Sequence, residues 1–227
     1  MQLLRNIAFY TLFYLGSIPV TSLALLTLPF SHEAFRKVVL AWSGLHRWSV
    51  RNLLGCEIVI EGKPAEGPAL YAIKHESFFE AIDTTQLLDV PAVFAKQELF
   101  RIFGWGHAGR AYGLIPVARD AGAKALMQMI RAARGMVEAG RPLVIFPEGT
   151  RIPHGERRKL QAGFAGLYKM LGLPVIPVAV DSGRLYHHRL KRRGTITYRF
   201  GEPIPPGLPR EEIEERVFEA INALNPQ

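Results

Sequence analysis

Twenty-six consecutive residues, Asn6 to Ser31, carry no charged side chain and are mostly apolar. Such a run belongs in hydrocarbon or in a protein core. A spanning helix needs about 20 apolar residues, so length permits one span. Gly16-Ser17-Ile18-Pro19 falls near the middle. Proline removes a helix hydrogen bond and glycine loosens the backbone, which predicts a kink or a turn there. Arg5 flanks one end and Arg36, Lys37, Arg47 and Arg51 the other, so no inside–outside asymmetry orients the segment. A segment that dips in and returns fits this better than a clean span. A signal peptide is the competing reading, but no small-residue cleavage pattern follows.

A second helix is expected from Phe35 to Leu54, where Phe35, Val39, Trp42 and Leu45 recur at helical spacing. Arg36, Ser43, Arg47 and Arg51 fall within an arc of about 80° at that period. A basic stripe beside Trp42 and Trp48 suits a helix at the headgroup level; the alternative is a surface helix with a solvated face. The net charge of +8 calls for an acidic partner. No helix-turn-helix, RNA-binding or zinc-spacing signature is present, so the expected partner is a membrane and not nucleic acid. The single cysteine, Cys56, excludes an internal disulfide.

From Cys56 onward short apolar runs alternate with helical patterns. Strands are expected at Cys56–Glu61, Ala69–Lys74, Ala92–Lys96, Leu114–Ala118, Leu143–Phe146, Val175–Val180 and Thr195–Phe200. Helices are expected at Ser77–Leu88, from a cap at Asp120 to about Glu138, at Leu160–Leu171, and after the proline-rich stretch Pro203 to Pro209. This pattern predicts an α/β fold, a mixed sheet covered by helices, with an N-terminal two-helix membrane-associated appendage. The expected division is 1–54 for membrane-anchoring helices and 55–227 for the α/β domain.

Two segments carry candidate chemistry. In Lys74-His75-Glu76-Ser77-Phe78-Phe79-Glu80 a strand ends at a histidine, and a carboxylate follows five positions later. A histidine can take a proton from a hydroxyl when an acid holds its other ring nitrogen. An ordinary hydrogen-bonded pair is the plainer alternative. In Phe146-Pro147-Glu148-Gly149-Thr150-Arg151 a tight turn follows a buried strand. Arg151 can grip a phosphate, and Glu148 can orient it or bind a substrate hydroxyl. A self-contained Glu148–Arg151 ion pair is the structural alternative.

Together these segments resemble the glycerolipid acyltransferases, specifically the bacterial 1-acyl-glycerol-3-phosphate acyltransferases. That family's first motif is histidine, four residues, then aspartate, often with asparagine before the histidine and serine two places after it. His75 and Ser77 match; Lys74 replaces the asparagine and Glu80 the aspartate. Gly113 to Arg119 fits the pattern around the family's phosphate-binding arginine, with Lys96-Gln97-Glu98-Leu99 upstream. Phe146 to Arg151 matches the third motif, and Val175-Ile176-Pro177-Val178 the fourth. The resemblance covers about residues 56 to 200.

The resemblance implies catalysis by His75 with Glu80. It implies substrate binding by Arg119, Glu148, Gly149, Thr150 and Arg151, with Lys74, Ser77 and Asp83 as further candidates; Asp83, eight positions after His75, is an alternative partner for it. The implied reaction moves an acyl group from acyl-CoA or acyl carrier protein to a lysolipid hydroxyl, without cofactor or metal. The implied place is the bacterial inner membrane, with the catalytic domain on the cytoplasmic face. Lyso-ornithine lipid or another lysophospholipid is the alternative acceptor. A non-catalytic basic membrane-binding protein is the remote alternative, and a serine hydrolase is disfavoured because no Gly-x-Ser-x-Gly elbow occurs. Arg157-Arg158-Lys159 is read as a seat for the donor's phosphates or a solubilising surface. The basic run Arg184 to Arg193, with His187 and His188, is read as a solvated or lipid-facing patch and not a metal site.

Overall fold

The computed structural model describes residues 1–102, 104–117 and 122–226. Its centre is a seven-stranded mixed sheet built from β1 (Cys56–Glu61), β2 (Leu70–Ile73), β3 (Ala92–Lys96), β4 (Ile115–Val117), β5 (Leu143–Ile145), β6 (Val175–Val180) and β7 (Gly194–Phe200). The strand order is β1-β7-β6-β2-β5-β3-β4. Neighbours are parallel except β6 and β7.

Side chains alternate across a strand, and the sheet is buried on both faces. Leu70, Ala72, Leu143 and Val175 point into one core, covered by α6 (Gly122–Glu138), α7 (Gly163–Leu171) and α9 (Arg210–Ile221). Tyr71, Ile73, Val144, Ile176 and Val178 point into the other. That second face is covered by α4 (Phe78–Leu87) and by the N-terminal segment, whose Phe9, Phe13, Val50 and Leu54 belong to the same core. The core therefore continues across the boundary expected after Leu54.

The N-terminal segment is a helical hairpin. Its first leg runs as α1 (Gln2–Tyr10), a π-helical turn over Thr11–Leu15, and α2 (Gly16–Thr27). The chain does not reverse at Gly16–Pro19. Pro19 stays inside α2, and the π turn ends at Leu15, the residue whose carbonyl the proline ring would crowd. The hydroxyls of Ser17, Thr21, Ser22 and Thr27 donate to carbonyls one turn back, those of Phe13, Ser17, Ile18 and Leu23. Reversal comes after Thr27, where Ser31 caps α3 (His32–Ser49) by accepting from the Ala34 N–H at 3.1 Å. A second π turn, Val50–Leu54, ends at left-handed Gly55.

The outer side of the first leg exposes Leu3, Leu4, Ile7, Tyr14, Leu15, Ile18 and Leu26. Among the described residues Gln2–Thr27 is the one helix long and apolar enough to cross a membrane. The second leg departs from the basic stripe expected of it. Ser43 is buried and bonded by Thr85 and Gln86. Arg47 turns inward onto Asp83 of α4, through bonds of 2.7 and 2.6 Å.

Other differences are local. A 3₁₀ turn over Gln97–Arg101, α5 (Trp105–Tyr112) and the short α8 (Gly183–Tyr186) were not expected from the pattern. Asp120, the expected cap of α6, lies outside the described residues.

Candidate active site

Strands β2, β5 and β6 lie side by side and parallel, so their carboxyl ends reach one edge, where α/β sheets place their chemistry. His75 follows β2, the Phe146–Arg151 turn follows β5, and Ser182 follows β6. The Ile152 N–H donates to the His75 carbonyl at 2.7 Å and ties the first two segments together.

Ser77 is the N-cap of α4 and Glu80 its N3 residue, which forms a capping box. Glu80 Oε1 accepts from the Glu76 and Ser77 N–H groups, both at 2.6 Å, and from His75 Nδ1 at 2.9 Å. Its Oε2 accepts from Ser77 Oγ at 3.0 Å and Ser182 Oγ at 2.6 Å. The carboxylate is fully buried. Burial alone would raise its pKa, but the bonds and charge from His75, with those from Ser182 and Ser77, outweigh it and hold the pKa below the usual value. An ionised Glu80 places the proton of His75 on Nδ1 and leaves Nε2 as a base. The imidazole stacks on Phe146 at 4.3 Å and keeps a partly open edge.

That edge meets a cavity of about 1140 Å³. Arg151, Gly149 and Gln161 line it near His75, and Lys96 also borders it. Its remaining wall is mostly apolar and includes Val20, Ala24, Phe35 and Val39 from the hairpin and Trp105 and Ala108 from α5. Arg151 lies over the Phe78 ring at 3.9 Å, with no carboxylate in ion-pair range among the described residues. Thr150 is half-buried in the same turn.

Three candidate residues are placed elsewhere. Glu148 is neither open to a substrate nor paired with Arg151. Its Oε1 accepts from Lys74 Nζ at 2.6 Å and its Oε2 from the His75 N–H at 3.2 Å, and both side chains of the ion pair are fully buried. Lys74 points away from the imidazole, as strand alternation requires; its ammonium also donates to Asn222 Oδ1 at 2.8 Å and the Glu156 carbonyl at 3.1 Å. Asp83 is held by Arg47 and does not touch His75. Arg119 lies outside the described residues.

Sequence reasoning missed Ser182, Glu76, His154 and Asn222. Ser182 follows a fully buried strand at the active edge, a signal that was available. Glu76 is buried; it accepts from the Gly183 N–H at 2.8 Å and contacts His154 Nδ1 at 3.0 Å. Burial pushes Glu76 up to about 8, with the Glu80 charge adding to it, and burial pushes His154 down. Both shifts favour neutral groups, so this contact is a hydrogen bond more than an ion pair. His187 Nδ1 donates to the Glu76 carbonyl at 2.8 Å. Among the described residues no group of three His, Cys, Asp or Glu side chains could hold a metal.

A family model described as acyltransferase matches residues 57–181. The 1-acyl-sn-glycerol-3-phosphate acyltransferase of Pseudomonas aeruginosa is 30% identical over 195 residues, covering 82% of this chain and 74% of that protein. The protein of the same name from Limnanthes alba is 30% identical over 158 residues, 67% of this chain and 53% of its own length. The crystal structure of PlsC, the 1-acyl-sn-glycerophosphate (LPA) acyltransferase of Thermotoga maritima, aligns with a TM-score of 0.77 at 22% identity. The alignment covers 98% of this chain and 95% of that one.

Proposed function

The chain belongs to the acyltransferase family, and from that membership we propose that it acylates the free sn-2 hydroxyl of 1-acyl-glycerol-3-phosphate to give phosphatidic acid. The donor is a fatty acyl thioester, acyl-CoA or acyl carrier protein. The reading is supported above all by His75, whose Nδ1 is held by a buried, ionised Glu80 while its ring borders a large, mostly apolar cavity.

In this reading the acceptor's phosphate sits at Arg151, with Arg119 as the second cation expected from the motif. Acyl chains lie in the apolar cavity. His75 Nε2 takes the proton of the sn-2 hydroxyl as its oxygen bonds to the thioester carbonyl carbon. The tetrahedral adduct collapses, the carbon–sulfur bond breaks, and the imidazolium returns its proton to the leaving thiolate. Glu80 stays ionised and stabilises the imidazolium without taking the proton itself. Atoms and charge balance with no cofactor. The exposed apolar side of Gln2–Thr27 sits in the inner membrane, and the catalytic edge faces it from the cytoplasm.

The test supplies lysophosphatidic acid and radiolabelled acyl donor to the purified protein in detergent. His75→Ala is expected to abolish transfer with an unchanged melting temperature. Glu80→Gln is expected to lower kcat by about 10²- to 10⁴-fold, because an amide cannot accept all five bonds. Substantial turnover by His75→Ala would end the general-base assignment.

A further inference from the structure

A second cavity, of about 300 Å³, lies between the start of α1 and residues 191–193, just before β7. It shares no lining residue with the cavity at His75. Arg5, Lys191, Arg192 and Arg193 line it together with Gln2 and Asn6, and no acidic residue does. Among the described residues none of the three guanidiniums has a carboxylate in ion-pair range. Cations gathered in a concave site reinforce one another's potential.

The cleft is already formed. The Asn6 amide donates to the Lys191 carbonyl at 2.9 Å, and its Oδ1 accepts from the Lys191 N–H at 2.7 Å. Tyr10 donates to the Arg189 carbonyl at 2.7 Å. These bonds clamp helix and loop into two walls. Gly55 brings the walls close: a Cβ there would lie 2.7 Å from Arg5 Nη1 and 3.7 Å from Arg193 Cβ. Lys191 forms the floor, its Nζ held by the Tyr186 carbonyl at 2.9 Å and by the Tyr186 ring. Arg5, Arg192 and Arg193 remain available to a ligand.

Location identifies the ligand's class. Strand β7 runs antiparallel to β6, so its start lies at the same edge of the sheet as the ends of β2 and β5. The cleft and His75 therefore lie toward the same edge of the sheet. On the other faces of the same two turns of α1, Leu3, Leu4 and Ile7 are exposed. A basic recess on one face of a helix whose other faces are exposed and aliphatic complements an amphiphile with an anionic head, more than a free anion.

We propose that this cleft binds the phosphate of an anionic membrane phospholipid, with the lipid's chains along the Leu3–Leu4–Ile7 side of α1, and that it is a docking site separate from the catalytic one. The proposal rests on the membrane-bound reading above. Anchoring there would hold the catalytic edge against the bilayer while substrates exchange.

Vesicle co-sedimentation of the full chain tests it, with phosphatidylcholine vesicles and with the same vesicles containing phosphatidylglycerol. The parent protein is expected to bind both, the anionic vesicles more tightly. Arg5→Gln/Arg193→Gln should cut binding to anionic vesicles by on the order of thirtyfold, from about one cation's attraction per arginine, and leave binding to neutral vesicles unchanged. Arg157→Gln/Arg158→Gln removes the same charge elsewhere and should change it less than about threefold. Should the first pair unfold, Arg192→Gln alone is expected to weaken anionic binding by about fivefold. Equal losses from both pairs would overturn the cleft in favour of diffuse surface charge. Binding of inorganic phosphate to the parent that the Arg5→Gln/Arg193→Gln pair abolishes, while the pair keeps parent-like binding to anionic vesicles, would overturn the lipid assignment in favour of a free anion. Failure to bind any vesicle would overturn the membrane reading itself, a result distinct from equal binding to both vesicle types, which would sink only the cleft.

Discussion

At position 80 one methylene matters. Glutamate at the N3 position accepts from the Glu76 and Ser77 N–H groups and still meets the imidazole of His75, so the longer side chain closes a capping box and keeps the contact the motif calls for. That the two side chains meet was legible in their spacing; Ser182, 102 positions away in sequence from Glu80, was not. Nor was the partner of Glu148. A buried carboxylate needs a cation, but which of many lysines supplies it depends on strands β2 and β5 lying side by side. Lys74→Met should therefore destabilise the fold by about 3–5 kcal/mol, and adding Glu148→Gln should recover most of the loss in a denaturant titration. Glu76 supplies a pH test. Its folded pKa, about 8, lies above its ordinary 4.5. Its contribution to stability is thus fully present below about 4.5 and lost as pH rises through about 8. Glu76→Gln keeps an acceptor for Gly183 and a donor for His154, and should melt higher than the parent at pH 8 while losing that advantage by pH 5.

At the scale of elements, β1, β3 and β6 occupy the bounds their patterns predict: β6 is buried on both faces and leaves a continuous apolar run, whereas edge strand β1 alternates. Helix α5 escaped because Gly106 and Gly109 lower its intrinsic propensity. It forms through packing: a Cβ at Gly106 would lie 2.1 Å from the Phe100 carbonyl oxygen, an approach that glycine alone permits. The second leg of the hairpin was legible as a helix, but its orientation was not. Periodicity grouped Arg47 with exposed arginines, whereas a buried acid on α4 captures it. Arg47→Ala leaves Asp83 buried and uncompensated, and should lower stability by about 3–5 kcal/mol. Asp83→Asn should leave kcat within about twofold below its melting temperature, since its hydrogen-bonding partner is Arg47 and not the histidine.

Over the whole molecule the hairpin is a wall of the candidate active site. It covers Tyr71, Ile73 and Phe79 and lines the cavity at His75 with Val20, Ala24, Phe35 and Val39. A chain reduced to residues 55–227 would expose that apolar face. It is expected to aggregate or to lack a cooperative melt, and to show no acyl transfer even with detergent-dispersed substrate. A division after Leu54 looked natural because the apolar pattern changes there, from helical spacing to strand alternation. Such a pattern marks where the surroundings change, and the hairpin meets two of them at once. Its inner side is protein. Along its first leg Ser17, Thr21, Ser22 and Thr27 each direct their hydroxyl proton to a carbonyl of their own helix. Those four hydroxyls spend their protons within the helix, so Leu3, Leu4, Ile7, Leu15, Ile18 and Leu26 offer whatever lies outside them little but hydrocarbon.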